Sequence, residues 1–128
     1  MEIKYERETS KTFEEACESL KINLSDSGFG VLWELNFKDK LQEKGLDFTT
    51  NFKIFEVCNP KQAKEILDYN IEIGYFLPCK MVAYEKDSKV YLGMLRPEEL
   101  IKLSGATGVS EVAKSVERTL KYAIDKSL

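Results

Sequence analysis

Apolar and polar residues alternate along several stretches of the chain, which is the pattern of strands that bury one face. In the clearest stretch, every second position is apolar: Phe29, Val31, Trp33, Leu35 and Phe37. Weaker or shorter stretches of the same kind lie at 2–9, 50–58, 81–85 and 90–94. The pattern predicts five strands, with Trp33 buried and Glu34 exposed, because a slip of one residue would reverse every side chain.

Two longer segments instead repeat apolar residues every three or four positions, which predicts amphipathic helices. The helix at about 11–26 has an apolar stripe of Phe13, Ala16, Cys17, Leu20 and Leu24. The helix at about 109–125 has Val112, Ala113, Val116, Leu120, Ala123 and Ile124. Shorter helices are predicted to begin at Asn59-Pro60 and at Pro97, because proline suits the first helical position.

Strands and helices therefore alternate until a hairpin, whose turn is predicted at 86–89. This order predicts an α+β fold in a single two-layer domain that spans residues 1–128. Its sheet is expected to be mainly antiparallel, with about five strands, and its helices to pack on one face. The two long helices should lie on the same face, since the apolar stripes of both must pack against the apolar face of the sheet.

The composition argues against several classes of function. The net charge is −3, and there is no histidine among the 128 residues. We therefore expect no binding to nucleic acid, and the commonest acid–base residue is missing. No apolar run is long enough for a membrane span, and the first residues lack a signal core, so we expect a cytoplasmic protein. No catalytic residue and no cofactor is assigned, and whether the protein is an enzyme stays open.

Two short segments are the most distinctive places for chemistry: Cys58-Asn59-Pro60 and Leu77-Pro78-Cys79. In the first, a thiol precedes a helix N-terminus, whose positive end could lower the pKa of the thiol or attract an anion. Three interpretations remain open for Cys58 and Cys79: buried packing residues, ligand or metal contacts, or redox catalysis. No metal site is assigned, since two cysteines without histidine give an incomplete ligand set. Cys17 belongs to the apolar stripe and is expected in the core.

The sequence contains more aromatic residues than the predicted core can hold. Those that the core stripe does not clearly accommodate are Phe52, Phe55, Tyr75, Phe76, Tyr84 and Tyr91. A sheet with helices on one side leaves its other face open, and apolar residues there mark an interface or a ligand cleft. We expect a homodimer through the helix-free side or an edge strand, with a cleft for an unidentified small ligand as the alternative.

Three segments together resemble the domain-of-unknown-function 302 family: GFGVLWELNFKDKLQEKG, FKIFEVCNPKQAKEIL and IGYFLPCKMVAYEKDSKVYLG. The resemblance extends over nearly the whole chain. It implies a compact, often dimeric α+β domain and implies no activity. It places any shared binding site at Cys58, Asn59, Pro60, Pro78 and Cys79.

Two functional hypotheses follow from these observations. The first is a non-enzymatic, homodimeric binding or assembly module. The alternative is a thiol-dependent redox or metal-handling protein that uses Cys58 and Cys79, which requires both sulfurs to be close together and accessible.

Overall fold

A five-stranded antiparallel sheet forms the centre of the computed structural model, which describes residues 2–128. The strands are β1 (Lys4–Thr9), β2 (Gly30–Asn36), β3 (Phe52–Cys58), β4 (Cys79–Lys86) and β5 (Lys89–Leu95). Their order across the sheet is β1-β5-β4-β3-β2, and every neighbouring pair is antiparallel. The helices are α1 (Phe13–Asp26), α2 (Phe37–Glu43), α3 (Pro60–Tyr69), α4 (Pro97–Ser104) and α5 (Ser110–Lys126). A 3₁₀ helix follows α3 at Ile71–Phe76. The α+β fold predicted from the sequence is confirmed.

The two long helices pack on the same face of the sheet, as their stripes predict. Their inward residues form one core with alternate residues of β3, β4 and β5. From the helices this core takes Phe13, Ala16, Cys17, Leu20, Leu24, Val116, Leu120, Ala123 and Ile124. From the three strands it takes Phe55, Val57, Met81, Ala83, Val90, Leu92 and Met94. No helix within residues 2–128 is long and apolar enough to cross a bilayer.

The prediction that Trp33 is buried is wrong, and a β-bulge explains why. Val31 pairs with Val57 of β3, but the next pair is Trp33 with Glu56, so Leu32 is an extra residue in β2. A bulge of this kind reverses which side chains face the core from that point on. Trp33 therefore lies on the helix-free face with 49% of its surface exposed. Glu34 points to the helix side, where its carboxylate lies 3.5 Å from Lys21 Nζ.

The helix-free face, which is the sheet face opposite α1 and α5, carries a row of aromatic rings that begins at its edge with Phe37 of α2. Phe37 meets Phe52 edge-on with 5.5 Å between ring centroids. Phe52 then stacks on Tyr84 at 6.1 Å, and Tyr84 stacks on Tyr91 at 5.2 Å. Such aromatic pairs stabilise a sheet across its strands. Phe55 is an exception among the unassigned aromatics, since it is fully buried in the core.

A buried carboxylate connects the two C-terminal helices. Glu117 of α5 is only 2% exposed, and its Oε2 accepts a hydrogen bond from Arg96 Nε at 3.0 Å. Its other oxygen, Oε1, accepts from the backbone N–H of Glu98 at 3.1 Å. Arg96 is the N-cap of α4 but makes no capping bond with its own side chain. Glu117 therefore caps α4 from a neighbouring helix and fixes how α4 and α5 meet.

Candidate functional site

A cavity of about 270 Å³ lies at the corner where β3 ends and β4 begins, and we call it the corner cavity. Helices α3, α4 and α5 and the 3₁₀ helix close its other sides. The two segments singled out in the sequence meet here because Val57 pairs directly with Cys79. Cys58, Asn59, Pro78 and Cys79 all line the cavity. Pro60 is not among its lining residues.

The start of α3 fixes the side of the cavity that carries Cys58. Asn59 is the N-cap, and its Oδ1 accepts a hydrogen bond from the backbone N–H of Gln62 at 3.1 Å. Pro60 occupies the first helical position, where its missing N–H costs nothing. These two roles agree with the helix start that the sequence predicts. They also mean that the Asn59 side chain, and not the Cys58 sulfur, satisfies an N–H group at this helix end.

A glycine brings α1 close to the same corner. Gly28 ends α1 with φ = 87°, a left-handed conformation that glycine adopts without a Cβ penalty. Its N–H donates to the Ser25 carbonyl at 3.1 Å, and the Phe29 N–H donates to the Leu24 carbonyl at 2.9 Å. This pair of bonds is a Schellman motif. A Cβ on Gly28 would also stand 3.4 Å from Asn59 Nδ2, so the turn packs against the N-cap of α3.

Both thiols of the corner cavity are held in their neutral form. Burial, with a smaller contribution from the neighbouring Cys58, raises the pKa of Cys79 to about 11. Burial also raises the pKa of Cys58. The lowered pKa that a helix terminus could give Cys58 is therefore not found, since burial raises that pKa. Cys17 lies in the core as predicted, and burial raises its pKa to about 11 as well.

The inner wall of the corner cavity is apolar. A second hydrophobic cluster, separate from the main core, supplies much of it through Ile66, Ile73, Ile101 and Ala113. The polar lining residue Gln62 is already engaged, since its Nε2 donates to Ser115 Oγ at 3.2 Å. No group of three or more Cys, Asp or Glu side chains within residues 2–128 is arranged to hold a metal ion.

The mouth of the cavity differs from its interior. Tyr75 stands there with 91% of its surface exposed, and Leu95 and Leu100 line the cavity from the other side. Glu56 and Lys80 also line it, and they face each other across β3 and β4 on the helix-free side of the sheet. Opposite charges therefore lie side by side at the opening.

Sequence reasoning identified the strand ends at this corner but not the rest of the cavity. The 3₁₀ helix was not predicted, so Ile73 and Tyr75 were missed as lining residues. The short helix predicted to begin at Pro97 was given no place in the fold, so its residues Leu100 and Ile101 were missed as well. The available signal was the apolar pair Leu100-Ile101, which begins three residues after Pro97 and requires that a short helix bury one side.

Comparison with known proteins adds a family and a structure. The family model "Domain of unknown function DUF302" matches residues 5–127. A crystal structure of an uncharacterized conserved protein DUF302 from Bacillus stearothermophilus is similar, with 38% sequence identity and a TM-score of 0.95. That similarity covers 100% of both chains. No curated protein matches the chain.

Proposed function

The chain belongs to the family described as domain of unknown function DUF302, and from that premise we propose that it is a non-enzymatic binding module for a small ligand. The observation that carries the proposal is the corner cavity, a concave and largely apolar site of about 270 Å³. Ligand sites in proteins are commonly concave, mostly apolar and lined by a few polar groups. Four of the five sequence-predicted site residues line it.

The absence of an activated group in the lining supports binding over catalysis. A catalytic nucleophile or base needs a pKa suited to its task or a partner that activates it. Cys58 and Cys79 have pKa values raised by burial, which leaves both protonated near neutral pH. Thiolates, and not thiols, carry out nucleophilic and redox chemistry. The thiol-dependent alternative therefore has the weaker support, although the two cysteines do share one cavity.

A comparison of three proteins purified from the same cells tests the proposal: the native chain and two variants. Ala63 of α3 lines the cavity, so Ala63→Phe places a ring inside it. Glu65→Phe is the matched control, because Glu65 is exposed on the same helix. Solvent extracts are compared by mass spectrometry. We expect one or more small molecules enriched with the native protein and with Glu65→Phe but depleted with Ala63→Phe. Identical extracts from all three would contradict a ligand site at this corner.

A homodimer through the helix-free face is the second part of the proposal. Trp33 projects from this face with 49% exposure, and Leu32 beside it is 61% exposed. On the other side of the same face is a depression of about 230 Å³ over Gly93, where no side chain fills the surface. A two-fold axis brings the same patch of both copies together. An axis that passes between Trp33 and the depression would bring each indole into the depression of its partner.

Light scattering over a range of concentrations tests the dimer. Trp33→Gln removes the exposed ring at the face, and Tyr122→Gln removes a ring of α5 on the helix side that is 58% exposed. We expect the native protein and Tyr122→Gln to be dimers. Trp33→Gln should have a larger dimer dissociation constant, so that it is monomeric at concentrations at which the native protein is still dimeric. A native protein that is monomeric at every concentration would refute the dimer without affecting the corner cavity.

A cytoplasmic location is also part of the proposal. All three cysteines are free thiols, including Cys58 and Cys79 in one cavity. Reducing compartments favour this state over disulfides. Cell fractionation with an antibody against the protein checks the location, and recovery outside the cytoplasm would contradict it.

A further inference from the structure

We infer that the ligand of the corner cavity is a neutral, apolar molecule of about the size of a two-ring aromatic, and this inference rests on the proposed function. Size is the first observation. An engineered protein cavity of about 150 Å³ binds benzene. The corner cavity holds about 270 Å³, which is room for nearly two such rings.

The second observation is that the two amide side chains in the wall already use part of their hydrogen-bonding capacity within the protein. Within residues 2–128, every buried side-chain nitrogen and oxygen already has a hydrogen-bond partner. Asn59 Oδ1 accepts from the Gln62 N–H, and Gln62 Nε2 donates to Ser115. Of these two side chains, only Asn59 Nδ2 and Gln62 Oε1 are left for a ligand. A ligand with more polar groups than these would lose bonds to water, which is costly for an amide or hydroxyl and much more so for a charge.

The third observation concerns the two thiols in the wall. Cys58 and Cys79 are neutral, soft and polarizable, and sulfur makes favourable contacts with the edges of aromatic rings. Ile66, Ile73 and Ile101 supply the remaining contact area as aliphatic surface. An aromatic or other apolar ring system fits this lining better than a hydrogen-bonding molecule does.

Charge at the mouth does not select an anion. Lys80 lines the opening, but Glu56 faces it across the neighbouring strand. An anionic group near Lys80 would also stand near the Glu56 carboxylate, and attraction and repulsion would largely offset each other. The ligand's affinity must therefore come from the apolar interior.

Two nearly isosteric probes separate these possibilities by calorimetric titration at neutral pH. They are 2-acetonaphthone, which is neutral, and 2-naphthoate, which carries a charge. We expect 2-acetonaphthone to bind at least about tenfold more tightly, because a carboxylate would be desolvated without a partner. Ala63→Phe should abolish its binding, whereas Glu65→Phe should leave it unchanged.

Lys80→Gln completes the test, since it removes the only cation that lines the cavity within the described residues. Binding of 2-acetonaphthone should be unaffected by this change. If 2-naphthoate binds as tightly as 2-acetonaphthone or more tightly, and loses that binding in Lys80→Gln, the ligand is an anion and the inference is overturned while the cavity stands. If neither probe binds, the inference fails, and the extracts described above decide separately whether the cavity has a ligand. Thermal unfolding of each variant confirms that it is folded.

Discussion

Replacing Glu117 with glutamine tests how the wall formed by α4 and α5 is held. The substitution keeps the shape but removes a charge that accepts bonds from Arg96 and from the Glu98 N–H. Lys121 Nζ also lies 3.1 Å from the carboxylate. A hydrogen bond to a charged group contributes roughly 1.5–3 kcal/mol, and breaking a buried ion pair costs roughly 3–5 kcal/mol.

Solvent reduces this cost, because both cations that contact the Glu117 carboxylate are partly exposed. The Lys121 side chain is 35% exposed and that of Arg96 is 20% exposed, so both regain water when the carboxylate is lost. We therefore expect Glu117→Gln to lower the free energy of unfolding by about 2–3 kcal/mol. Glu111→Gln is the control, because the Glu111 side chain on the same helix is 87% exposed. That change should stay within about 0.5 kcal/mol.

The effect should also depend on pH in a fixed direction. Burial alone would raise the pKa of Glu117, but the hydrogen bonds from Lys121, the Glu98 N–H and Arg96 together hold it below the ordinary value. A lowered pKa adds stability above the unfolded-state pKa, and that stability is lost as the pH falls through the folded-state pKa. Urea unfolding at neutral pH and in acid measures both. A cost below about 1 kcal/mol, or an equal cost at both pH values, would refute this account of Glu117.

Three further predictions concern separate parts of the chain. Asp87 and Ser88 form the β4–β5 turn with φ of 54° and 63°, so Ser88→Gly should stabilise the protein by roughly 0.5–1 kcal/mol in urea unfolding. A destabilised variant would contradict the turn. Gly93→Ala should lower the free energy of unfolding by about 1–3 kcal/mol in the same assay, since its Cβ would stand 3.1 Å from the Tyr5 carbonyl oxygen. An unchanged free energy would contradict this prediction and show that β1 can move to accommodate the Cβ. Iodoacetamide should label Cys58 slowly at neutral pH and faster as the pH rises, and labelling as rapid as that of a free thiol would contradict its raised pKa.

The order of strands and helices could be predicted because each element carries its own local signal. The stripe that includes Phe13 and Leu20 specifies a helix by its period, and Asn59-Pro60 specifies a helix start by its capping chemistry. Both depend only on residues close together in the chain. The packing of α1 and α5 on one face followed from their shared need for an apolar floor.

The bulge at Leu32 could not be predicted in the same way. Apolar residues at every second position favour one buried face. The apolar Leu32 between Val31 and Trp33 is the one departure from this alternation, and by itself it does not identify an extra residue. The reversal becomes visible only through pairing with β3, where Glu56 takes Trp33 as its partner. On the helix side, Glu34 forms an ion pair with Lys53, whose Nζ lies 3.6 Å from the Glu34 carboxylate.

Glu117 was missed although the sequence held a signal for it. It lies next to Val116 and three residues before Leu120, which puts a charge on the apolar stripe of α5. A carboxylate in that position needs partners, and Arg96 is distant in sequence. Likewise, the corner cavity joins segments from α3 to α5, so only its strand ends could be placed from local patterns.

Crystals of the protein pressurised with xenon test the central claim most directly, since xenon enters apolar protein cavities without hydrogen bonds. The account predicts xenon inside the corner cavity, between Ala63, Cys79 and Leu100. Crystals of Ala63→Phe should show none at that place. An unoccupied cavity in the native protein, or one filled by ordered water that xenon does not displace, would contradict an apolar binding site at this corner.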